Sequence, residues 1–310
     1  MRHCLLGLLF YGVAMASAVA QNASTIVVNF GSGGSADRMA RLIAPEMGTV
    51  LGTQVVVKNT TGAAGAIGAT EVARARADGT TLLLTTTGPM AIQPHFRADL
   101  PYRVADFAPV CLLGDAPVMM MAAPVSGIRS VADLLARARR DNGINYGSAG
   151  PGSIPHIVMA ALAQSSGAQM THVPFRGSAE AIIALLRDDV SVYADLPGGL
   201  RANNLVPVGV MAAARTAEFP ETPTLREQGV DMVYSIWAGL YAPAATPPAT
   251  LARLEAACRS ALGAASVIDG FARLATPITF RGQADFAAFQ AAELEKFRQV
   301  IQSAGLRPGD

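Results

Sequence analysis

Two glycine and serine segments hold the residues best suited to chemistry: Phe30-Gly-Ser-Gly-Gly-Ser-Ala-Asp37 and Tyr146-Gly-Ser-Ala-Gly-Pro-Gly-Ser153. Glycines permit positive φ and close approach of a ligand to the backbone. Each segment also ends where a helix should start. Ser35 can cap in the first, with Asp37 in the opening turn, and Ser153 is the N-cap of the second, with Pro155 just inside. Such a junction leaves N–H groups unpaired at the positive end of a helix dipole, a seat for an anion such as a carboxylate. Neither segment contains Lys or Arg, so amides and hydroxyls would meet the charge. Either segment alone reads more readily as a tight turn; two of them favour a ligand clamped between them.

The other chemical signals are weaker. Gly62-Ala-Ala-Gly-Ala-Ile-Gly68 precedes a helix and Thr85-Thr86-Thr87-Gly88 ends a strand, both readable as plain turns. Asp195, at a strand end, suits a ligand ammonium or a bridging water, or is a solvated loop carboxylate. Tyr146-Gly-Ser-Ala-Gly150 approaches the G-x-S-x-G nucleophile elbow, but Tyr146 replaces the first glycine and no Asp/His order follows. A periplasmic serine hydrolase using Ser148 is therefore the rival reading. No phosphate-binding G-x-x-x-x-G-K-[ST] occurs, and His95, His156 and His172 lack metal-ligand spacing. No cofactor or metal is expected.

The elements that position these loops alternate. Ser24–Phe30 is a β-rich apolar run that meets the first glycine segment, followed by a helical pattern through Met39, Leu42, Ile43, Val50 and Leu51. Strands are expected at 53–58, 80–85, 118–122, 144–146, 169–173 and 190–194. Helices are expected at 68–75, 130–140, 154–164, 178–187, 250–262 and 283–304. Ser130 with Asp133 resembles a capping box. This βα alternation predicts an α/β fold of mostly parallel sheets flanked by helices, with ligands at the carboxyl ends of the strands. The late helices need a surface to pack on, which places one lobe at 24–113 plus 227–310 and a second at 114–226.

The chain opens with Arg2, an apolar run from Cys4 to Ala16, and Ala18-Val19-Ala20, the pattern of a secretory signal cleaved near Ala20. A membrane span needs about 20 apolar residues, more than this run supplies. Loss of residues 1–20 removes one of 24 basic residues and leaves them level with the 23 acidic ones. A neutral protein has no field to attract nucleic acid or an anionic membrane. At 51% hydrophobic residues the chain is well cored, and its length suits two domains. Cys111 and Cys258 lie in apolar settings and read as buried small hydrophobes; a disulfide between them stays open.

Motifs along nearly all of the mature chain resemble the Bug-type extracytoplasmic solute receptors of tripartite tricarboxylate transporters. They are Phe30-x-x-Gly-Gly-x-x-Asp-x-x-Ala-Arg41, Gly62-x-x-Gly-x-Ile-Gly68, Tyr146-Gly-Ser-x-Gly-x-Gly-Ser-x-x-His156, His172-Val-Pro-Phe-Arg-Gly177, Pro223-Thr-Leu-x-Glu-x-Gly229, Trp237-x-Gly-Leu-x-Ala-Pro243 and the late Glu293 with Ala304-Gly305. The resemblance implies a two-lobed periplasmic-binding-protein (type II, Venus-flytrap) fold. It implies a monomeric, non-enzymatic receptor that takes a small organic acid or amino acid and works with integral membrane transporter subunits; a sensor feeding a signalling partner is the alternative use. By position, ligand contacts fall on Phe30, Gly33, Gly34, Ser35, Thr86 and Thr87 in the first lobe, and on Ser148, Gly152, Ser153, Phe175 and Asp195 in the second. The sequence departs from the family at Lys58-Asn-Thr-Thr-Gly-Ala-Ala-Gly65, where Glu-Asn-Arg-Pro-Gly-Ala-Gly-Gly is usual, at Ala160 in place of Glu, and at Arg176 in place of Lys.

Overall fold

The computed structural model describes residues 23–306, so the secretory-signal reading of residues 1–20 lies outside the described residues. The chain begins with β1 (Ser24–Val28), α1 (Ser35–Leu51), β2 (Val55–Asn59), α2 (Ala66–Ala73) and β3 (Thr81–Thr86). A π-helical turn at Gly88–Ile92 and the short α3 (Gln93–Phe96) lead to β4 (Phe107–Pro117). The middle of the chain forms β5 (Met119–Ala122), α4 (Val131–Arg140), β6 (Ile144–Ser148), α5 (Ile154–Ser166), β7 (Met170–Pro174), α6 (Ser178–Leu186), β8 (Tyr193–Asp195), α7 (Gly198–Ala202) and β9 (Val206–Val210). The last part forms β10 (Ser235–Pro243), α8 (Pro248–Leu262), α9 (Ala265–Arg273), β11 (Ile278–Arg281) and α10 (Gln283–Ser303).

Six strands make the larger sheet, in the order β11-β4-β10-β3-β1-β2. Side chains alternate across a strand, and here the alternation feeds two cores. Ile26 and Val28 of β1, with Leu82 and Leu84 of β3, pack under α1 and α8; Val27 and Leu83 pack on the other face with α2 and α10. Strands covered on both faces read as unbroken apolar runs, which is why Ile-Val-Val and Leu-Leu-Leu are visible as strands.

Parallel pairing follows the βα alternation: β1 lies parallel to both β2 and β3, and β6 to β7. The other half of the large sheet is antiparallel, because β10 enters between β3 and β4 after the middle of the chain has been laid down, and β11 then pairs with β4. The small β8-β5-β9 sheet is also antiparallel. β10 is sparse in strand formers at Gly239, where a Cβ would lie 2.2 Å from Cζ of Phe286 on α10. A glycine there weakens the strand signal yet permits the helix to seat.

The chain passes between the six-stranded sheet and the β8-β5-β9 sheet twice, side by side. Ser235 pairs with Pro117, Val118 N–H donates to Tyr234 O at 2.9 Å, and Met211 N–H donates to Val118 O at 2.8 Å. Cys111 and Cys258 are fully buried as expected, and they are joined as a disulfide between β4 and α8.

Candidate functional site

Phe30, Gly33, Gly34 and Ser35 follow the carboxyl end of β1, and Thr86 and Thr87 close β3. Because β1 and β3 are parallel neighbours, with Val28 opposite Leu84, both segments emerge at one sheet edge. The Gly62–Gly65 turn reaches the same edge, where Asn29 Nδ2 donates to Gly65 O at 3.0 Å. Residues 31–34 are exposed and Thr87 is buried; its Oγ1 accepts from Trp237 N–H at 3.0 Å.

The amides of the first loop are used differently from the sequence expectation. The N-cap of α1 is Gly34 rather than Ser35, and no side chain caps it. Gly33 N–H donates to Asp37 Oδ2 at 2.8 Å, and Gly34 N–H to Gly31 O at 3.3 Å, so both are spent within the loop. No side chain caps the first-turn amides of Ser35, Ala36 and Asp37. Burial acts to raise the pKa of Asp37, but hydrogen bonds from Arg41, Gly33 and Asn59 outweigh it and hold the carboxyl below its usual range. Its charge is thus answered locally by Arg41.

The second loop is also self-bonded. Ser153 is the N-cap of α5, yet its Oγ donates to Gly150 O at 2.6 Å instead of capping, and its N–H goes to the same oxygen. Gly152 N–H donates to His156 Nδ1 at 3.1 Å. Phe175 N–H donates to Ser148 O at 3.0 Å, which fixes the ends of β6 and β7 together. Asp195 ends β8, which is bridged in parallel to β6 through Val192 and Tyr146. So Ser148, Gly152, Ser153, Phe175 and Asp195 share one edge. Asp195 accepts from Ser178 Oγ and Tyr193 Oη, both at 2.6 Å, and from Leu196 N–H at 2.8 Å. It is a braced carboxylate rather than a freely solvated one.

The two edges meet at Gly152. Gln93 Nε2 donates to Pro151 O at 3.3 Å and to Gly152 O at 3.4 Å, and the ring edge of Phe96 packs on His156 with centroids 5.6 Å apart. Thr86 and Thr87 run directly into this contact through the Gly88–Ile92 turn.

This architecture has known counterparts. The family described as "Tripartite tricarboxylate transporter family receptor" matches residues 39–306. The chain belongs to that family. It is 31% identical to Protein BugT of Bordetella pertussis over 296 residues, covering 91% of this chain and 89% of BugT. Among solved structures it resembles R. palustris Rpa4515 with adipate (TM-score 0.87, 29% identity, 92% of this chain and 98% of that one). It also resembles MatC from Rhodopseudomonas palustris with bound malate (TM-score 0.84, 29% identity, 90% and 98%). A third is the periplasmic binding protein BugD (TM-score 0.84, 25% identity, 92% and 98%). The fold is that of the periplasmic binding proteins, and the family is one of solute receptors.

Three buried polar atoms of the receptor lie at this edge without a protein partner among the described residues: Asn29 Oδ1, Thr85 Oγ1 and Gln93 Oε1. Thr85 belongs to the hydroxyl cluster noted at the end of a strand, whereas Asn29 and Gln93 were not singled out from sequence. The available signal was a polar residue inside an apolar stretch, as in Val-Val-Asn-Phe and Ala-Ile-Gln-Pro. Ser148 Oγ and His172 Nε2 form a nucleophile and base pair in distance, but Ser148 is fully buried. No carboxylate hydrogen-bonds His172 among the described residues; its ring stacks between Tyr146 and His156, and burial pushes its pKa down. A cavity of about 890 Å³ lies elsewhere, between α4, α5, α10 and residues 228–234. Helix flanks line much of it, with Arg139 of α4 among them, and the helix amides there are consumed within the helices.

Proposed function

We propose that the receptor is exported to the periplasm, captures a small carboxylate-bearing metabolite between two closing lobes, and delivers it as a monomer to the membrane subunits of a tripartite tricarboxylate transporter. The lobes are 24–113 with 227–310, and 114–226, joined by the paired crossings at Val118 and Tyr234. The observation that carries this reading is the meeting of two strand-end edges, each leading into a helix N-terminus, at the Gly152 turn. Helix starts at these edges would suit a carboxylate because amides and dipoles stabilise the anion without a buried cation. The malate bound by MatC and the adipate with Rpa4515 support dicarboxylates as the first ligands to try.

The contacts are those of the eleven residues named from sequence, with a revised division of labour. Gly33, Gly34 and Gly152 shape the walls, Ser35, Thr86 and Ser153 present hydroxyls or first-turn amides, and the fully buried Thr87 and Ser148 brace the two edges from behind. Phe30 and Phe175 close the sides, and Asp195 holds the start of α6. Calorimetry and thermal shift on residues 21–310 with di- and tricarboxylates, acidic amino acids and aromatic acids test the reading. A true ligand at a hundred times its dissociation constant adds about 2.7 kcal/mol of stability. Silence across the whole panel would overturn it.

A further inference from the structure

Gln93 lies where the β3 side of the molecule grips the turn that opens α5. It starts α3, directly after the π-helical turn that begins beside Thr87. The residue is 1% exposed, and Nε2 reaches two consecutive carbonyls, those of Pro151 and Gly152. That approach depends on glycine: a Cβ on Gly152 would stand 2.6 Å from Nε2 and 2.9 Å from Phe96 Cδ1. Gly152 in turn donates to His156, on which the Phe96 ring packs, so both ends of α3 touch the same unit.

A side chain kept only to fill space here would be served better by an apolar residue of the same shape, because Oε1 is buried without a partner among the described residues. The cost of that oxygen points to a role for the donor end. The two bonds are long, 3.3 and 3.4 Å, and can be broken singly, unlike a packed core.

We propose that Gln93 is an interlobe latch: a positioning residue whose amide holds the Gly150–Ser153 turn against the ligand edge and so sets the residence time of a captured acid. This rests on the receptor reading above. It makes Gln93 a determinant of dissociation rather than of encounter, since it bonds only when the two edges have met.

Two variants test it on the full mature protein with its disulfide intact. Gln93→Leu removes the donors and the orphaned oxygen together. With malate, adipate or another acid from the panel as probe, stopped-flow dissociation should quicken about tenfold, the factor two modest hydrogen bonds carry. Association should not change, and the ligand-free melting temperature should hold or rise. Gln93→Glu sets a carboxylate against two carbonyl oxygens. Spin labels at Arg76 and Arg140, whose side chains are 83% and 72% exposed, should then report longer and broader distances than in the wild-type background without any ligand. Unchanged distances in Gln93→Glu, or unchanged dissociation in Gln93→Leu, would overturn the latch, as would a loss of affinity matched by a loss of melting temperature. If no acid binds the wild type, the carboxylate reading falls, and the distance measurement still decides the role of Gln93.

Discussion

Ser148 Oγ lies 2.6 Å from Nε2 of His172, and it also accepts a hydrogen bond from Gly150 N–H at 3.0 Å. A hydrolytic serine needs access to substrate and a base oriented by a third group. Ser148 is fully buried, and His172 is held by ring stacking. Ser148→Ala should therefore remove no turnover, because wild type and variant should hydrolyse activated esters equally at the background rate. It should instead cost about 1–3 kcal/mol in urea unfolding, by leaving Gly150 N–H and the imidazole without their partner. Ester turnover that vanished with the hydroxyl would restore the hydrolase reading.

His172 also makes stability pH-dependent in a definite direction. Burial lowers its pKa from 6.5 in the folded state, and His95 shifts the same way, chiefly for the same reason. Below about pH 6.5 the unfolded chain takes up protons that the folded chain refuses, so stability falls as pH falls, by at most about 1.4 kcal/mol per unit per site. The loss levels off once the pH drops below the folded pKa. Asp37 acts in a different window: its folded pKa is depressed, so its contribution is present above the unfolded value of 3.8 and is lost only as pH falls below it. Melting temperatures measured from pH 8 to pH 5 should decline from near 6.5, and the slope should be shallower in His172→Gln. A flat profile in the wild type would contradict the burial assigned to these rings.

What could be read without coordinates was mostly local. Ser130 does cap α4, accepting from Asp133 N–H at 3.1 Å, and the βα units carrying both glycine loops stand where the apolar runs placed them. β4 and β10 were not read as strands, since Pro109, Gly114 and Gly239 interrupt them and their pairing partners come from distant parts of the chain. The destination of each loop amide was not legible either. Whether Gly33 N–H faces a ligand or Asp37 depends on one side-chain rotamer, which spacing does not fix. Gln93 escaped notice because its importance lies in a contact 59 positions away.

The turn at Gly152 allows a paired comparison. Gly152 and Gly167 both hold left-handed backbone, φ +70° and +65°, but a Cβ meets nothing within 4 Å at Gly167 and two buried side chains at Gly152. Alanine at either site pays the left-handed penalty of about 1–2 kcal/mol, offset by about 0.4–1 kcal/mol from the stiffer unfolded chain. Gly152→Ala should add about 1–3 kcal/mol of overpacking against Phe96 and should also displace Gln93. Urea unfolding should rank Gly152→Ala well below Gly167→Ala, and only the former should alter ligand dissociation. Equal losses would mean that the contact with α3 is not made in solution.

The disulfide between Cys111 and Cys258 spans 147 residues and ties β4 to α8, within one layer of the large sheet rather than across the crossings. A loop of that length limits the unfolded chain strongly: the chain-entropy estimate is about 5 kcal/mol, and measured values generally fall below it. Reduction should therefore lower the urea midpoint clearly, and Cys111→Ala with Cys258→Ala should reproduce the loss without reductant. Because the bond fastens α8 to the sheet and leaves the Val118 and Tyr234 crossings untouched, ligand association and dissociation rates in the folded, reduced protein should match those of the oxidised one. Identical unfolding curves with and without reductant would remove the bond from the stabilising interactions, and altered binding rates would show that α8 takes part in closure.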